Sequence, residues 1–398
     1  MFLPKSFSGL DFRDQKITFA TIKMEKNLPV ITHVAINNLN SHLLDGGRLH
    51  DSVEVSSKLR SFLSDKGASK LVHIAIPTQF TIVRKLNTLP DLGELELSRL
   101  LHFQIGDSIH LPFDDPAYDF VKIGSIHPQK TLNLGDEDLN LDDLAGAAQE
   151  EMKGSRSEIL FFATSKLLAE DLAKASQSAG FKPRSAEIRG LALQRLVNYA
   201  NPSWLTGTEL IVDVSEESID LHIFKDELII FTRTMPINRN QYMRMPAPVV
   251  NEQTLVLEAE SGELAFFDND DTLTLSEIEI DNTEVAATDI KEVSDHQAQF
   301  DEEAYINDLI NEIERAQNFY RYSLGERDSE FRRVIVTGEN ANRAFTALLE
   351  RMNSEVCRID YSSVVAPGFM QHQLLDMCSV AIGLAMRENE KIDKKWKK

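Results

Sequence analysis

The sequence has only two cysteines in 398 residues, Cys357 and Cys378, which excludes a disulfide scaffold and any cysteine-built zinc site. It has no excess of positive charge: 42 Lys and Arg face 63 Asp and Glu, a net charge of −21. Nucleic acid is excluded as a main partner, because no basic field is present to neutralise phosphates. No apolar run approaches the ~20 residues of a transmembrane segment. The start, Met1-Phe2-Leu3-Pro4-Lys5-Ser6, turns polar too soon for a signal peptide. Walker A loop, dinucleotide glycine fingerprint and Gly-x-Ser-x-Gly elbow are all missing. The ten histidines include no pair at the helical spacing of a metal site. What remains is ordinary for a soluble globular protein, 42% hydrophobic and 26% charged, and long enough for two or more domains. A reduced, cytoplasmic protein is expected.

The acidity is concentrated. Residues 251–310 hold eighteen acids against Lys291, a net of −17, and residues 126–154 hold seven against two bases, a net of −5. The other 309 residues sum to about +1, so a near-neutral body carries two acidic inserts. The first reads as a surface loop. The second alternates enough for short strands over 254–257, 264–267 and 273–280, with a linker over 282–295. Such acidity is plain solvated surface or, in the sharper reading, attraction for a basic partner. The basic tail, 391–398, reads as solvated.

Hydrophobic periodicity predicts strands over 17–23, 30–37, 71–77, 81–86, 158–164, 209–213, 219–224, 227–234 and 333–337. It predicts helices over 52–64, 94–105, 166–179, 187–199, 303–322, 341–352 and 377–387. This is an α/β pattern with antiparallel hairpins opening each half. The hairpins repeat. Leu10-Asp11-Phe12 precedes four polar residues, Arg13-Asp14-Gln15-Lys16, and then Ile17, Phe19 and Ile22. Val212-Asp213-Val214 precedes Ser215-Glu216-Glu217-Ser218 and then Ile219, Leu221 and Ile223, 202 residues further on. A duplicated hairpin with an aspartate at its turn suits a two-lobed protein whose acids face each other across a cleft. An aspartate at a strand end also accepts backbone N–H bonds, a purely structural role.

With these hairpins, an ordered set of stretches resembles the actin-like ATPase superfamily and, more closely, the PilM family of type IV pilus assembly proteins, relatives of the division protein FtsA. The set begins at Gly9-Leu10-Asp11-Phe12. It continues through Val72-His73-Ile74-Ala75-Ile76-Pro77, Val83-Arg84-Lys85 and Leu89-Pro90 to Ile109-His110-Leu111-Pro112-Phe113-Asp114 and Tyr118-Asp119-Phe120. Gly180-Phe181-Lys182-Pro183, Gly190-Leu191-Ala192-Leu193 and Phe231-Thr232-Arg233-Thr234-Met235-Pro236-Ile237 follow. Glu312-Ile313-Glu314-Arg315, Phe319-Tyr320, 334–338 and Ala381-Ile382-Gly383-Leu384-Ala385-Met386-Arg387 close it.

The resemblance implies a two-lobed actin-like (ASKHA/FtsA-type) α/β fold. Subdomain 1A would span 1–70 and 185–205, 1C 71–184 with the acidic loop 126–154, 2A 206–250 and 331–398, and 2B 251–330 with the acidic insert. It places Asp11, Arg13, Lys16, Asp213, Ser215, Glu312, Arg315 and Gly338 at a vestigial nucleotide position. In working members both phosphate turns are rich in glycine, which brings backbone N–H groups against phosphate. Neither turn here contains glycine, and Glu339 follows Gly338. A carboxylate ~5 Å from a phosphate repels it by roughly 3 kcal/mol at an effective dielectric of ~20, about a hundredfold in affinity. Arg13 and Lys16 partly offset Glu216 and Glu217.

No cofactor is expected, with ATP and Mg²⁺ left as weak occupants of a degenerate site, and no catalysis. The implied partners are the cytoplasmic N-terminal segment of a PilN-like inner-membrane protein, held in a groove between 1A and 1C, and the pilus motor ATPases. The implied place is the inner face of the cytoplasmic membrane, reached through partners, and oligomerisation is open. The alternatives are an ATP-binding, polymerising actin-like ATPase and a cytoplasmic component of a type II secretion system. A sugar or acetate kinase is disfavoured by the missing glycine turns.

Overall fold

A computed structural model describes residues 6–25, 28–64, 67–127, 154–237, 239–244, 299–323, 330–366 and 371–387. The described residues fall into two compact units, one within 1–239 and 303–398 and one within 240–302. The larger unit holds two five-stranded sheets of the same design. In the first, β1 (Ser6–Arg13), β2 (Lys16–Glu25) and β3 (Leu28–Asn38) form an antiparallel meander. The short hairpin of β4 (Leu44–Asp45) and β5 (Arg48–Leu49) and the helix α1 (Ser52–Phe62) follow. Then β6 (Leu71–Ile76) joins β1 in parallel.

The chain next leaves this sheet to build a small antiparallel one. It is ordered β7 (Thr81–Pro90), β9 (Arg156–Ser165), β8 (Pro116–Ile126), with α2 (Glu94–Gln104) between β7 and β8. After α3 (Lys166–Ser178), β10 (Lys182–Ile188) joins β6 in parallel and completes the order β10-β6-β1-β2-β3.

The helix α4 (Arg189–Ala200) leads to the second sheet. Its meander is β11 (Thr208–Val214), β12 (Ser218–Lys225) and β13 (Leu228–Pro236). In the smaller unit, β14 (Met243–Arg244) pairs antiparallel with β15 (Gln299–Phe300). The long helix α5 (Glu302–Ser323) precedes β16 (Arg333–Gly338), parallel to β11. Helix α6 (Ala341–Arg351) then leads to β17 (Glu355–Arg358), parallel to β16. The order β13-β12-β11-β16-β17 repeats the first sheet strand for strand.

The packing follows from the burial pattern. Helices α1 and α3 start on side-chain caps, Asp51 and Ser165, which satisfy N–H groups otherwise left open at a helix start. Val55, Leu59, Leu168 and Leu172 of these helices pack onto Leu10, Phe12, Ile17 and Phe19 of the first sheet. A second core joins the two sheets: α4 supplies Ala192 and Leu196, and the final helices, α7 (His372–Met377) and α8 (Ser379–Ala385), supply Leu375, Ile382 and Leu384. Their contact is close. A Cβ at Gly383 would lie 1.9 Å from the Ala192 carbonyl oxygen, so only glycine lets α8 approach α4.

Several sequence expectations are corrected. The helix expected over 187–199 begins at Arg189, because Glu187 and Ile188 end β10. The helix expected over 377–387 divides at Cys378, whose backbone (φ −100°, ψ 9°) links α7 to α8. Strands β8, β10 and β17 were not anticipated as such by periodicity. The strands expected over 254–280, nearly all of the 126–154 loop and the tail 391–398 lie outside the described residues.

Candidate functional site

Both opening hairpins have the same register. Asp11 lies opposite Thr18 in the first, and Asp213 lies opposite Asp220 in the second. The first turn is tight, with only Asp14 and Gln15 between β1 and β2. Asp14 takes φ 51°, a left-handed conformation that aspartate tolerates better than most residues. Its carboxylate accepts hydrogen bonds from Ser215 Oγ at 2.5 Å and Ser218 Oγ at 3.2 Å, so the first turn is bonded directly to the second.

Arg13 makes the central link. Its Nη1 pairs with Asp213 Oδ1 at 2.7 Å, and its Nη2 donates to the Asp213 carbonyl at 2.8 Å and the Ser218 carbonyl at 3.1 Å. Its Nε donates to Ser218 Oγ at 3.3 Å. Lys16 pairs with Glu216 at 3.0 Å and also with Glu339. Beneath them Arg189, at the start of α4, donates from Nε and Nη2 to both oxygens of Asp11 at 2.8 and 2.6 Å, a bidentate pair. Arg189 Nη1 reaches Asp220 Oδ2 at 2.6 Å, and Thr78 Oγ1 donates to the same oxygen at 2.8 Å. Thus each aspartate singled out by the repeat is held by a guanidinium.

The electrostatics are strongly coupled. Burial works most strongly against the charge on Arg13 and Arg189, but Asp213, Asp220 and Asp14 together for the first, and Asp11, Asp220 and Asp213 together for the second, outweigh it, so both pKa values are raised. Burial pushes the Asp220 carboxyl up, yet Arg13 and Arg189 hold it well below the usual carboxylate range. Lys16 is raised despite its burial by the bonds to Glu339 and Glu216.

The space among these groups is divided: one cavity of about 200 Å³ is lined by Arg13, Asp14, Thr78, Arg189, Ser218 and Asp220. A cavity of about 30 Å³ is lined by Asp11, Arg13, Lys16, Asp213, Ser215 and Gly338, with Thr18 and Glu339 beside them. Gly338 has φ 97°, and a Cβ there would meet the Val214 carbonyl oxygen at 2.4 Å, so glycine is required in this wall. Two buried atoms of the lining residues, Thr18 Oγ1 and Asp213 Oδ2, have no hydrogen-bond partner. Outside lies a more open cavity of about 350 Å³ lined by Asp14, Glu216, Glu217 and Glu339 against one cation, Lys16. Among the described residues no group of three or more His, Cys, Asp or Glu could hold a metal ion.

Six of the eight residues expected at the nucleotide position therefore line one cavity. Glu312 and Arg315 do not; they pair with each other on α5, and Glu312 also lies 3.5 Å from Arg233 of β13. Arg189, Asp220, Thr78 and Asp14 were not singled out. Asp220 carried a signal, as a charge inside the apolar alternation Ile219 to Leu221 that only a buried cation could satisfy.

A second feature lies between the first sheet and the small sheet. A groove of about 290 Å³ is lined by Ala117 and Val121 of β8, Phe162 of β9, Ile188 of β10 and Leu191 of α4. Arg387 also lines it, bonded at 2.6 Å to the buried Glu187. Val121 is 43% exposed.

A mixed sheet of this order, present twice and opening each time with an aspartate-bearing hairpin, defines an actin-like α/β protein. Within that class the chain belongs to the family of type IV pilus assembly protein PilM, whose profile matches residues 9–245. Among solved structures it is similar to the PilM–PilN type IV pilus biogenesis complex, with 14% identity, a TM-score of 0.62 and coverage of 96% of this chain and 98% of that one. At that identity the likeness is one of fold. It is more remotely similar to the ethanolamine utilization protein EutJ from Carboxydothermus hydrogenoformans, with 10% identity, a TM-score of 0.43 and coverage of 97% and 90%. A Bacteroides thetaiotaomicron protein with an actin-like ATPase fold gives 10% identity, a TM-score of 0.40 and coverage of 95% and 96%. Among curated proteins none matches the sequence significantly. No helix among the described residues is long and apolar enough to cross a membrane.

Proposed function

We propose that the chain is a cytoplasmic scaffold of type IV pilus assembly. It captures the N-terminal cytoplasmic segment of a PilN-like inner-membrane protein, which brings it to the membrane's inner face, and passes that contact on to the pilus motor ATPases. In this reading the first sheet with its helices is subdomain 1A, which takes β6 and α3 from the 71–184 assigned by sequence to 1C; the small sheet with α2 is 1C, and the second sheet is 2A. The observation that carries it is the groove between the first two, apolar along Val121, Phe162, Ile188 and Leu191. Its volume of about 290 Å³ is near the ~300 Å³ at which ligand pockets begin, room for a few side chains of an extended segment.

The nucleotide position does not fit a metal-bound triphosphate. The cavities within the paired turns, about 30 Å³ between Asp11 and Asp213 and about 200 Å³ beside Arg189, are each below the ~300 Å³ of the smallest ligand pockets. Their surroundings add Asp14, Glu216, Glu217 and Glu339, which repel phosphate. The scaffold role requires no turnover.

The test is calorimetric titration with a synthetic peptide of the partner's cytoplasmic N-terminus. Val121→Glu places a charge in the groove at a partly exposed position and is expected to weaken binding at least tenfold with an unchanged melting temperature. Failure of the wild type to bind at ~100 μM, or equal affinity for the variant, overturns the assignment.

A further inference from the structure

We propose that the Arg13 guanidinium acts as a tethered ligand of Asp213: the chain's own cation, carried on the first half, fills the anionic place on the second and fastens the two together without a ligand from solution. The proposal does not depend on the peptide groove.

Three independent observations converge on it. The first is placement. Arg13 ends β1 of the first half, yet its charged contacts at 2.7 to 3.3 Å all lie on the second, at Asp213 and Ser218. Its side chain is only 10% exposed, so this is no surface pair of negligible worth. The planar five-donor fork matches what it meets, a carboxylate oxygen, two carbonyls and a hydroxyl, as a compact ammonium could not.

The second observation is the remnant beside it. The cavity of about 30 Å³ has room for a water, and the orphaned Thr18 Oγ1 and Asp213 Oδ2 belong to its lining. Between the two aspartates the side chain of Arg13 leaves no more than this, with polar atoms enough for a bridging water.

The third observation is the sign of the surroundings. Asp213, Asp220 and Asp14 lie about the guanidinium, at 2.7 Å, 3.8 Å and 3.8 Å from its nitrogens, and the neighbouring cations are already engaged, Arg189 by Asp11 and Asp220 and Lys16 by Glu216 and Glu339. Remove the Arg13 side chain and an anionic, guanidinium-shaped hole remains. It should take a guanidinium from solution and should reject phosphate.

The experiment is chemical rescue of the full-length chain. Arg13→Ala is expected to lower the melting temperature by about 5 °C or more, because Asp213 is left buried without its partner. Methylguanidinium at ~10 mM, far below denaturing concentrations, is expected to restore at least half of that loss in the variant and to leave the wild type unchanged. Sodium chloride at equal ionic strength restores none of it. Mg-ATP at millimolar concentration shifts neither protein.

Three results overturn the proposal: no loss in Arg13→Ala, rescue no better than with sodium chloride, or stabilisation of the wild type by Mg-ATP. If Arg13→Ala does not fold, Arg13→Lys carries the test. It keeps the charge but cannot span the four acceptors, so it should melt between wild type and unfolded and should gain nothing from Mg-ATP. A lysine variant as stable as the wild type, or one stabilised by Mg-ATP, equally contradicts it.

Discussion

His73 and His222 sit buried in the two sheets with Nδ1 at 2.7 Å from the hydroxyl oxygens of Ser185 and Thr232. Burial above all pushes each imidazole pKa down to about 4; neighbouring arginines add to it at His73, while at His222 burial prevails over the upward pull of Asp220 and Asp213, with Arg189 and Arg13 acting alongside it. The unfolded chain therefore binds protons near pH 6.5 that the fold does not, and stability falls as pH drops from 6.5 towards 4. Glu209, pushed up to about 6 by burial, works in the opposite direction below that pH. Denaturant unfolding at pH 7 and pH 6 should differ by on the order of 1 kcal/mol, with the higher pH more stable. Equal stabilities would show that the imidazoles are not held neutral by burial. At this scale the sequence exposed part of the site. Asp11 and Asp213 were legible because the spacing repeats. Arg189 was not, since its partners Asp11 and Asp220 lie 178 and 31 residues away and only the folded chain brings them together.

Elements were legible where burial alternates cleanly and obscure where polar residues are buried by pairing. Strand β10 runs Lys182-Pro183-Arg184-Ser185-Ala186-Glu187-Ile188, with exposed and half-buried positions alternating until Glu187. Glu187 is buried because Arg195 and Arg387 neutralise it, so it mimicked the first turn of the helix that follows. The break between α7 and α8 had no proline or glycine to announce it; Cys378 is a buried residue at the junction. The α4–α8 crossing gives an element-scale prediction. Gly383→Ala forces a methyl group against the Ala192 carbonyl and should cost about 1–3 kcal/mol in denaturant unfolding. Gly67→Ala, where an added Cβ would meet no described atom closer than His33 Cβ at 3.9 Å, should change stability by less than ~0.5 kcal/mol. Similar costs for both would mean that the helices do not approach as closely as described.

For the whole molecule, the repeat of one hairpin at a distance of 202 residues was enough to foresee two sheets of one design, because sheet order follows from hairpins and parallel returns. The groove was not foreseeable residue by residue, since its lining comes from β8, β9, β10 and α4, four separate stretches. The two sites join in one account: paired turns are fixed to each other by Arg13, Asp14 and Lys16, and in the proposed function a groove elsewhere on that body takes a peptide without help from nucleotide. The most direct test is the affinity of the full-length protein for the partner's N-terminal peptide, titrated with and without saturating Mg-ATP. The account predicts one dissociation constant under both conditions. Binding that appears only with nucleotide, or tightens more than tenfold in its presence, would contradict it.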